Sequence, residues 1–382
     1  MPFYLKEGAV PKKRHTVFKK SDGSLYAEEV IGRHGFSSHS SILYHLRMPT
    51  RVKSVGAFTP SRPETTPDVQ RHRHLRTRAV ASCGDLLASR RLLFFNDDVR
   101  LSKCHPDASM DFFLRNGHFD ELYFVQDGSG ELESQFGTIP FAKNDYVLIP
   151  RGTIWRMRFE AEKARLLLIE SAGQVSTPER YRSRHGQLLE HSPFCERDIR
   201  TPHLGAPREE TGDFLVRTIR ADGIQDFTYD SHPFDVVGWD GYFFPWVLSA
   251  DDFEPLVGSI HQPPPVHQTF EAPGFVVCSF VSRPFDFHPQ AIPAPYPHSN
   301  VDSDEVLFYS VGEFMSRKGI EAESMTLHPM GLAHGPHPGL YEASVGKKHT
   351  KELAVMIDTF KPLKLAETAK TVDDPNYPLS WL

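Results

Sequence analysis

The chain has 382 residues, a formal charge of −6, 24% charged and 39% hydrophobic residues. That balance excludes a basic nucleic-acid binder and a disordered chain, and the length suffices for two cores without disulfide support. Cys83, Cys104, Cys195 and Cys278 lie far apart with no CxxC pair, as expected of free thiols in a reducing compartment.

The opening MPFYLKEGAVPKKRH lacks the apolar run of a signal peptide, and no later window approaches the roughly 18 apolar residues of a membrane span. The expectation is a cytoplasmic protein with neither membrane nor nucleic-acid partners. Pro 31 and Phe 28 stand out in the composition, and short apolar runs between Gly, Pro and Asp turns are how an all-β barrel protein is written.

Residues 1–80 read as an N-terminal arm and linker. Within them AEEVIGRHGFSSHSSILYHL can supply a strand, and the basic run RHRHLRTR (71–78) reads as a solvated linker. A first β domain is expected over 81–230. Its strands are RLLFFNDDVRL, ELYFVQDGSGELESQFGTIPF, DYVLIPRG and ARLLLIE, with DGSGE as a hairpin turn. TPERYRSRHGQLLEHS reads as a helical connection. DFTYDSHPFDVVGW straddles the boundary, and a second β domain over 231–382 takes GFVVCSFVSRPF, EVLFYSVGEFMSR, SMTLHP and ELAVMIDTFKPL as its strands.

The two halves repeat each other. Asp120-Glu121-Leu122-Tyr123-Phe124 is matched by Asp304-Glu305-Val306-Leu307-Phe308. Pro150-Arg151-Gly152-Thr153-Ile154-Trp155 is matched by Pro329-Met330-Gly331-Leu332-Ala333-His334. An acidic strand start, a second strand and a P-x-G-x-x-[WH] ending in each half form the pattern of a double cupin, two antiparallel jelly-roll barrels made by duplication.

A metal site inside such a barrel needs donors that point inward from neighbouring strands. His298 and Glu305 are seven apart, and His334 follows 29 residues after the glutamate. Two imidazoles and one carboxylate form the facial triad of non-haem Fe(II) oxygenases, which leaves coordination positions open. Taken singly each histidine is more often structural. Taken in register with the repeat, and with His328 and His337 close by, the set reads as functional. In the first half Glu121 is kept and His118 lies three before it, but Trp155 stands where His334 does, so that barrel is expected to have lost its metal.

Several segments, in order, are similar to homogentisate 1,2-dioxygenases: HGFSSHSSILYHL, PFDVVGWDGYFFPW, IHQPPPVHQTFEAPG, PYPHSNVDSDE and LHPMGLAHGPHPGLYE. The resemblance covers most of the chain. It implies that His298, Glu305 and His334 bind Fe(II), with His334 also bordering the substrate, and that His261 is an acid/base group near a ring hydroxyl. It further implies that Tyr296 lines the substrate pocket. Arg317 stands where animal members hold the substrate carboxylate with a lysine, which keeps the charge but replaces a point charge by a planar fork. Phe314 stands where they have a tyrosine.

The implied activity is extradiol-type ring cleavage, with the iron as template and redox conduit between substrate and O2. Homogentisate would give 4-maleylacetoacetate in tyrosine and phenylalanine catabolism, on a trimer-based homo-oligomer, a trimer or hexamer. The alternatives are a dioxygenase for a related hydroquinone such as gentisate, a metal-dependent isomerase, and a non-catalytic double cupin that binds or stores a ligand.

Overall fold

Strand-forming runs of β-branched and aromatic residues dominate the sequence, and they fold as expected into an all-β molecule. The computed structural model describes residues 3–161, 163–312, 314, 317 and 319–382. Among the described residues the single α-helix is Leu340–Ser344, and no helix is long and apolar enough to cross a membrane.

Two sheets carry the duplicated architecture. In one, six neighbouring strands run in the order Trp246–Ser249, Asp145–Ile149, Asp120–Asp127, Arg165–Ser171, Val99–Cys104 and Arg90–Phe95. In the other, the order is Arg73–Arg76, Ser324–His328, Asp304–Gly312, Glu352–Thr359, Phe275–Phe280 and Gln268–Ala272. Matching strands therefore occupy matching places. A seven-stranded sheet, from Gly137–Phe141 to Val52–Pro60, closes the first barrel.

Period-two alternation decides what each strand faces. Along Asp120–Asp127, Tyr123 and Val125 enter the core of the first barrel, whereas Leu122 and Phe124 enter a second core shared with Val306, Phe308 and Phe270. The two six-strand arrays thus pack against each other through their outer faces. Phe124 lies 6.3 Å from Phe308, and Tyr146 lies 5.1 Å from Phe270. Their inner faces line two separate barrels.

Hydrogen bonds confirm the repeat at atomic level. Asp120 accepts from the backbone N–H of Arg151 and Val175 at 3.0 and 3.1 Å, and Asp304 accepts from Met330 and Leu363 at 2.8 and 2.7 Å. Gly152 and Gly331 both take positive φ, +87° and +78°, and donate to Asn116 and Asn300 at 2.8 and 2.7 Å. A side chain at either glycine would strain the turn that launches the strand bearing Trp155 or the segment bearing His334.

Four sequence expectations are corrected. DGSGE is not a hairpin: Asp120–Asp127 and Gly130–Ser134 belong to different sheets, so the chain crosses the barrel there. Gly130 permits this, because a Cβ would lie 2.0 Å from the Arg158 carbonyl; the tight turn falls at Ser134–Gly137 instead. TPERYRSRHGQLLEHS forms the 3-10 turn Glu179–Tyr181 and an isolated antiparallel bridge between Arg182 and Leu188 in place of a helix. RHRHLRTR is not a solvated linker, since Arg73–Arg76 is the edge strand paired with Ser324–His328, and Arg73, His74 and Leu75 are buried. Finally, Val236–Gly241 and Trp246–Ser249 join sheets of the first half. Sheet membership thus crosses the expected 230/231 boundary, and it does so in both directions, since Arg73–Arg76 joins the second-half sheet and Lys364–Leu365 the first-half one.

Candidate metal centre

Glu305 opens the central strand of the second barrel and points inward opposite His328, its cross-strand partner. His298 and His334 come from irregular segments that meet in an isolated two-way backbone bridge, with N–H to O distances of 2.8 and 2.9 Å. Gly335 makes the close approach possible, for a Cβ there would lie 2.7 Å from the Cα of Pro297.

His298, Glu305 and His334 each offer one ligand atom, and these atoms lie within 4.8 Å of one another. The two Nε2 atoms are 3.6 and 3.3 Å from the Glu305 carboxylate. Donors about 2.1 Å from a common ion and at right angles would lie about 3 Å apart, close to these spacings. Both rings are oriented by their other nitrogen: Nδ1 of His298 donates to the Tyr296 carbonyl at 3.0 Å, and Nδ1 of His334 to that of Leu332 at 3.1 Å. A carbonyl only accepts, so the proton sits on Nδ1 and Nε2 presents a lone pair. Nε2 of His334 is buried without a hydrogen-bond partner, as a metal ligand's donor atom should be before the ion is counted. The donor set fits a divalent metal.

His328, whose role the sequence left open, is a fully buried support. Its Nδ1 lies 2.8 Å from Oε1 of Glu305, and its ring stacks on His334 at 4.4 Å. Burial drives its pKa down to about 3, so it is a neutral ring that donates to the carboxylate and leaves the second oxygen for the centre. Burial alone would push the Glu305 carboxyl up, but the imidazoles of His298, His328 and His334 gathered around it hold it well below its ordinary range.

The remaining expected residues surround the triad. The half-exposed Tyr296 ring lies 6.2 Å from His298 and 5.1 Å from His261. His261 is partly open to solvent, with Nδ1 3.9 Å from Asp286. Arg317 is buried, and its guanidinium donates to the Gly335 carbonyl, one residue after His334. Phe314 packs on Tyr309 at 4.6 Å.

In the first barrel the same positions hold Leu114, Glu121 and Trp155: Leu114 pairs with Trp155 as His298 pairs with His334. His118 is not the counterpart of His298; it is exposed against Phe119. What fills the site is Arg90. Its guanidinium donates to Glu121 at 2.6 Å, Glu170 at 3.1 Å and the Tyr123 hydroxyl at 2.7 Å, while the Trp155 indole donates to Glu121 at 3.1 Å. A fixed organic cation pairs with the carboxylate there.

Sequence reasoning missed His72 and Trp381. The His72 ring lies 6.1 Å from His334 and 5.0 Å from Trp381, and its Nε2 donates to the Ala333 carbonyl at 3.1 Å. Neither residue sits in a recurring motif; the edge-strand pairing of the basic segment was the only available signal for His72.

Residues 99–249 match the family described as homogentisate 1,2-dioxygenase N-terminal. Over 385 aligned positions the chain is 44% identical to a protein of Saccharolobus solfataricus named "Putative dioxygenase", covering 100% of this chain and 99% of that one. It is 29% identical to a homogentisate 1,2-dioxygenase of Rhodopseudomonas palustris over 68% of its own length, and it spans 61% of that relative. Among solved structures, a cupin 2 conserved barrel domain protein from Leptotrichia buccalis aligns over 77% of this chain and 98% of its own, with 7% identity and a TM-score of 0.35.

Proposed function

This chain belongs to the homogentisate 1,2-dioxygenase family, and from that premise we propose that it is an Fe(II)-dependent ring-cleaving dioxygenase acting on homogentisate and O2. The product would be 4-maleylacetoacetate, and the pathway tyrosine and phenylalanine catabolism. The observation that carries the reading is the two-histidine, one-carboxylate cluster of His298, Glu305 and His334, with the buried guanidinium of Arg317 bonded to the Gly335 carbonyl directly after His334.

His298, Glu305 and His334 would hold the iron. When bound, it supplies a template and a redox conduit between the aromatic ring and dioxygen. Arg317 binds the substrate carboxylate, fixing which ring carbon faces the centre. Tyr296 forms an aromatic wall beside His298. His261, next along that wall, takes the ring-hydroxyl proton and can return it to the opened product. His328 holds Glu305 so that one carboxylate oxygen stays committed and the other stays directed at the centre. We further propose a homo-oligomer, testable by light scattering.

Oxygen uptake by Fe(II)-reconstituted protein tests the reading with homogentisate, gentisate and unsubstituted hydroquinone. Homogentisate should turn over with the highest kcat/KM. Arg317→Met should raise its KM by about 30-fold or more, since a buried charge left without its partner costs about 2 to 5 kcal/mol. Faster turnover of gentisate would reassign the substrate, and an equal loss on the neutral ring would remove Arg317 from carboxylate binding.

A further inference from the structure

The 3-10 turn Tyr377–Trp381 lies outside every motif of the sequence, yet it packs on the segment that carries His334. The Trp381 indole N–H donates to the Gly335 carbonyl at 3.1 Å, and Nη1 of Arg317 donates to the same oxygen at 2.5 Å. The guanidinium carbon stands 5.8 Å from the Trp381 ring centre, in cation–π range. Beyond the arginine, the indole meets His337 at 4.6 Å and His72 at 5.0 Å, and Ser380 fastens the turn through its hydroxyl, 3.1 Å from Nε2 of His337.

The Gly335 carbonyl is a fixed reference point, because its backbone rests on Pro297 and follows a metal-ligand residue directly. An arginine side chain carries about 2 kcal/mol of rotamer entropy, so the direction of its fork depends on every contact that holds it, and the rigid aromatic face that shares the Gly335 acceptor is one of these.

We propose that Trp381 is a positioning residue: it sets the direction of the Arg317 fork and thereby the preference for a substrate bearing a carboxylate. This deepens the proposed function and rests on Arg317 being the carboxylate partner. The indole acts through the arginine, so its removal should lower discrimination between an acidic and a neutral ring without removing the metal.

The test compares Trp381→Leu, Trp381→Phe and Arg317→Met in the iron-loaded protein. The readouts are iron per chain and the ratio of kcat/KM for homogentisate to that for methylhydroquinone, a neutral ring. Trp381→Leu should lower the ratio about 10-fold, chiefly through the KM for the acid, at unchanged iron content. Trp381→Phe keeps an aromatic face but loses the N–H, and should recover part of the loss. An unchanged ratio in Trp381→Leu, with a collapsed ratio in Arg317→Met, overturns the positioning role and leaves the substrate reading standing. An unchanged ratio in Arg317→Met overturns the carboxylate reading and this inference with it. Loss of iron in both Trp381 variants would make the indole a support of His334 instead, and would also overturn the proposal.

Discussion

Replacing Arg90 by Met removes the guanidinium that separates Glu121 from Glu170 inside the first barrel. Glu121 is fully buried and Glu170 nearly so. Two carboxylates would then share a site without a counter-charge, and the least costly escape is for one to take up a proton. From an ordinary value of 4.5, protonation at pH 7 costs about 3.4 kcal/mol at 1.36 kcal/mol per unit. At pH 5 the same step costs about 0.7 kcal/mol. The larger figure falls within the roughly 3 to 5 kcal/mol typical of breaking a buried ion pair. Burial already raises the Glu121 pKa against the pull of Arg90, and without Arg90 it rises further. A folded-state pKa above the unfolded one means that stability is lost as pH rises from about 4.5 towards the folded value. Urea unfolding of Arg90→Met should therefore show a loss of about 3 to 4 kcal/mol at pH 7 and about 1 kcal/mol at pH 5. Adding Glu121→Gln should restore most of the loss at pH 7. Equal losses at the two pH values, with no rescue by the second substitution, would show that Arg90 acts by packing and would refute the electrostatic reasoning.

Alanine at His298, Glu305 or His334 should reduce iron from about one per chain to a small fraction while circular dichroism still reports β structure; full occupancy in any of the three reassigns that residue. His261→Asn should keep its iron and lose about 10²-fold in kcat, the usual worth of a positioned acid/base group, whereas loss of metal would make His261 a ligand. Burial would lower the pKa of His45, but hydrogen bonds to Asp235 at 2.7 Å and Glu29 at 3.1 Å raise it to about 9. That pairing contributes up to about 3 kcal/mol below pH 6.5 and loses it as pH climbs through 9. The stability gap between the parent and His45→Gln should therefore narrow over that range, and a gap that stays flat with pH would contradict the assignment.

Much of the fold and the heart of the site were legible because they are written locally. Strand alternation is a period-two pattern, and a duplication leaves equivalent residues at equivalent offsets. Asp120 and Asp304 make equivalent bonds for that reason, and the offsets from Glu305 pick out His298 and His334 in the chain itself. The same local reasoning failed at DGSGE, where composition describes a turn but cannot say whether the strands it joins share a sheet.

What the sequence determined by itself was the all-β architecture, the doubling and the three-residue cluster, since short windows and one internal comparison contain them. Only the tertiary structure decided how charge is compensated. Arg73, buried in an edge strand, looked like part of a solvated linker because Asp373, its partner at 2.5 Å, lies 300 residues away. The cation that meets Glu121 in the first barrel is Arg90, 31 residues away and outside the repeated motifs. Trp381 meets Arg317 and Gly335 only after the turn that bears it folds across the second barrel. A buried charge must find its partner in space, and spatial partners set by strand order leave no periodicity in the chain for a sequence reading to detect.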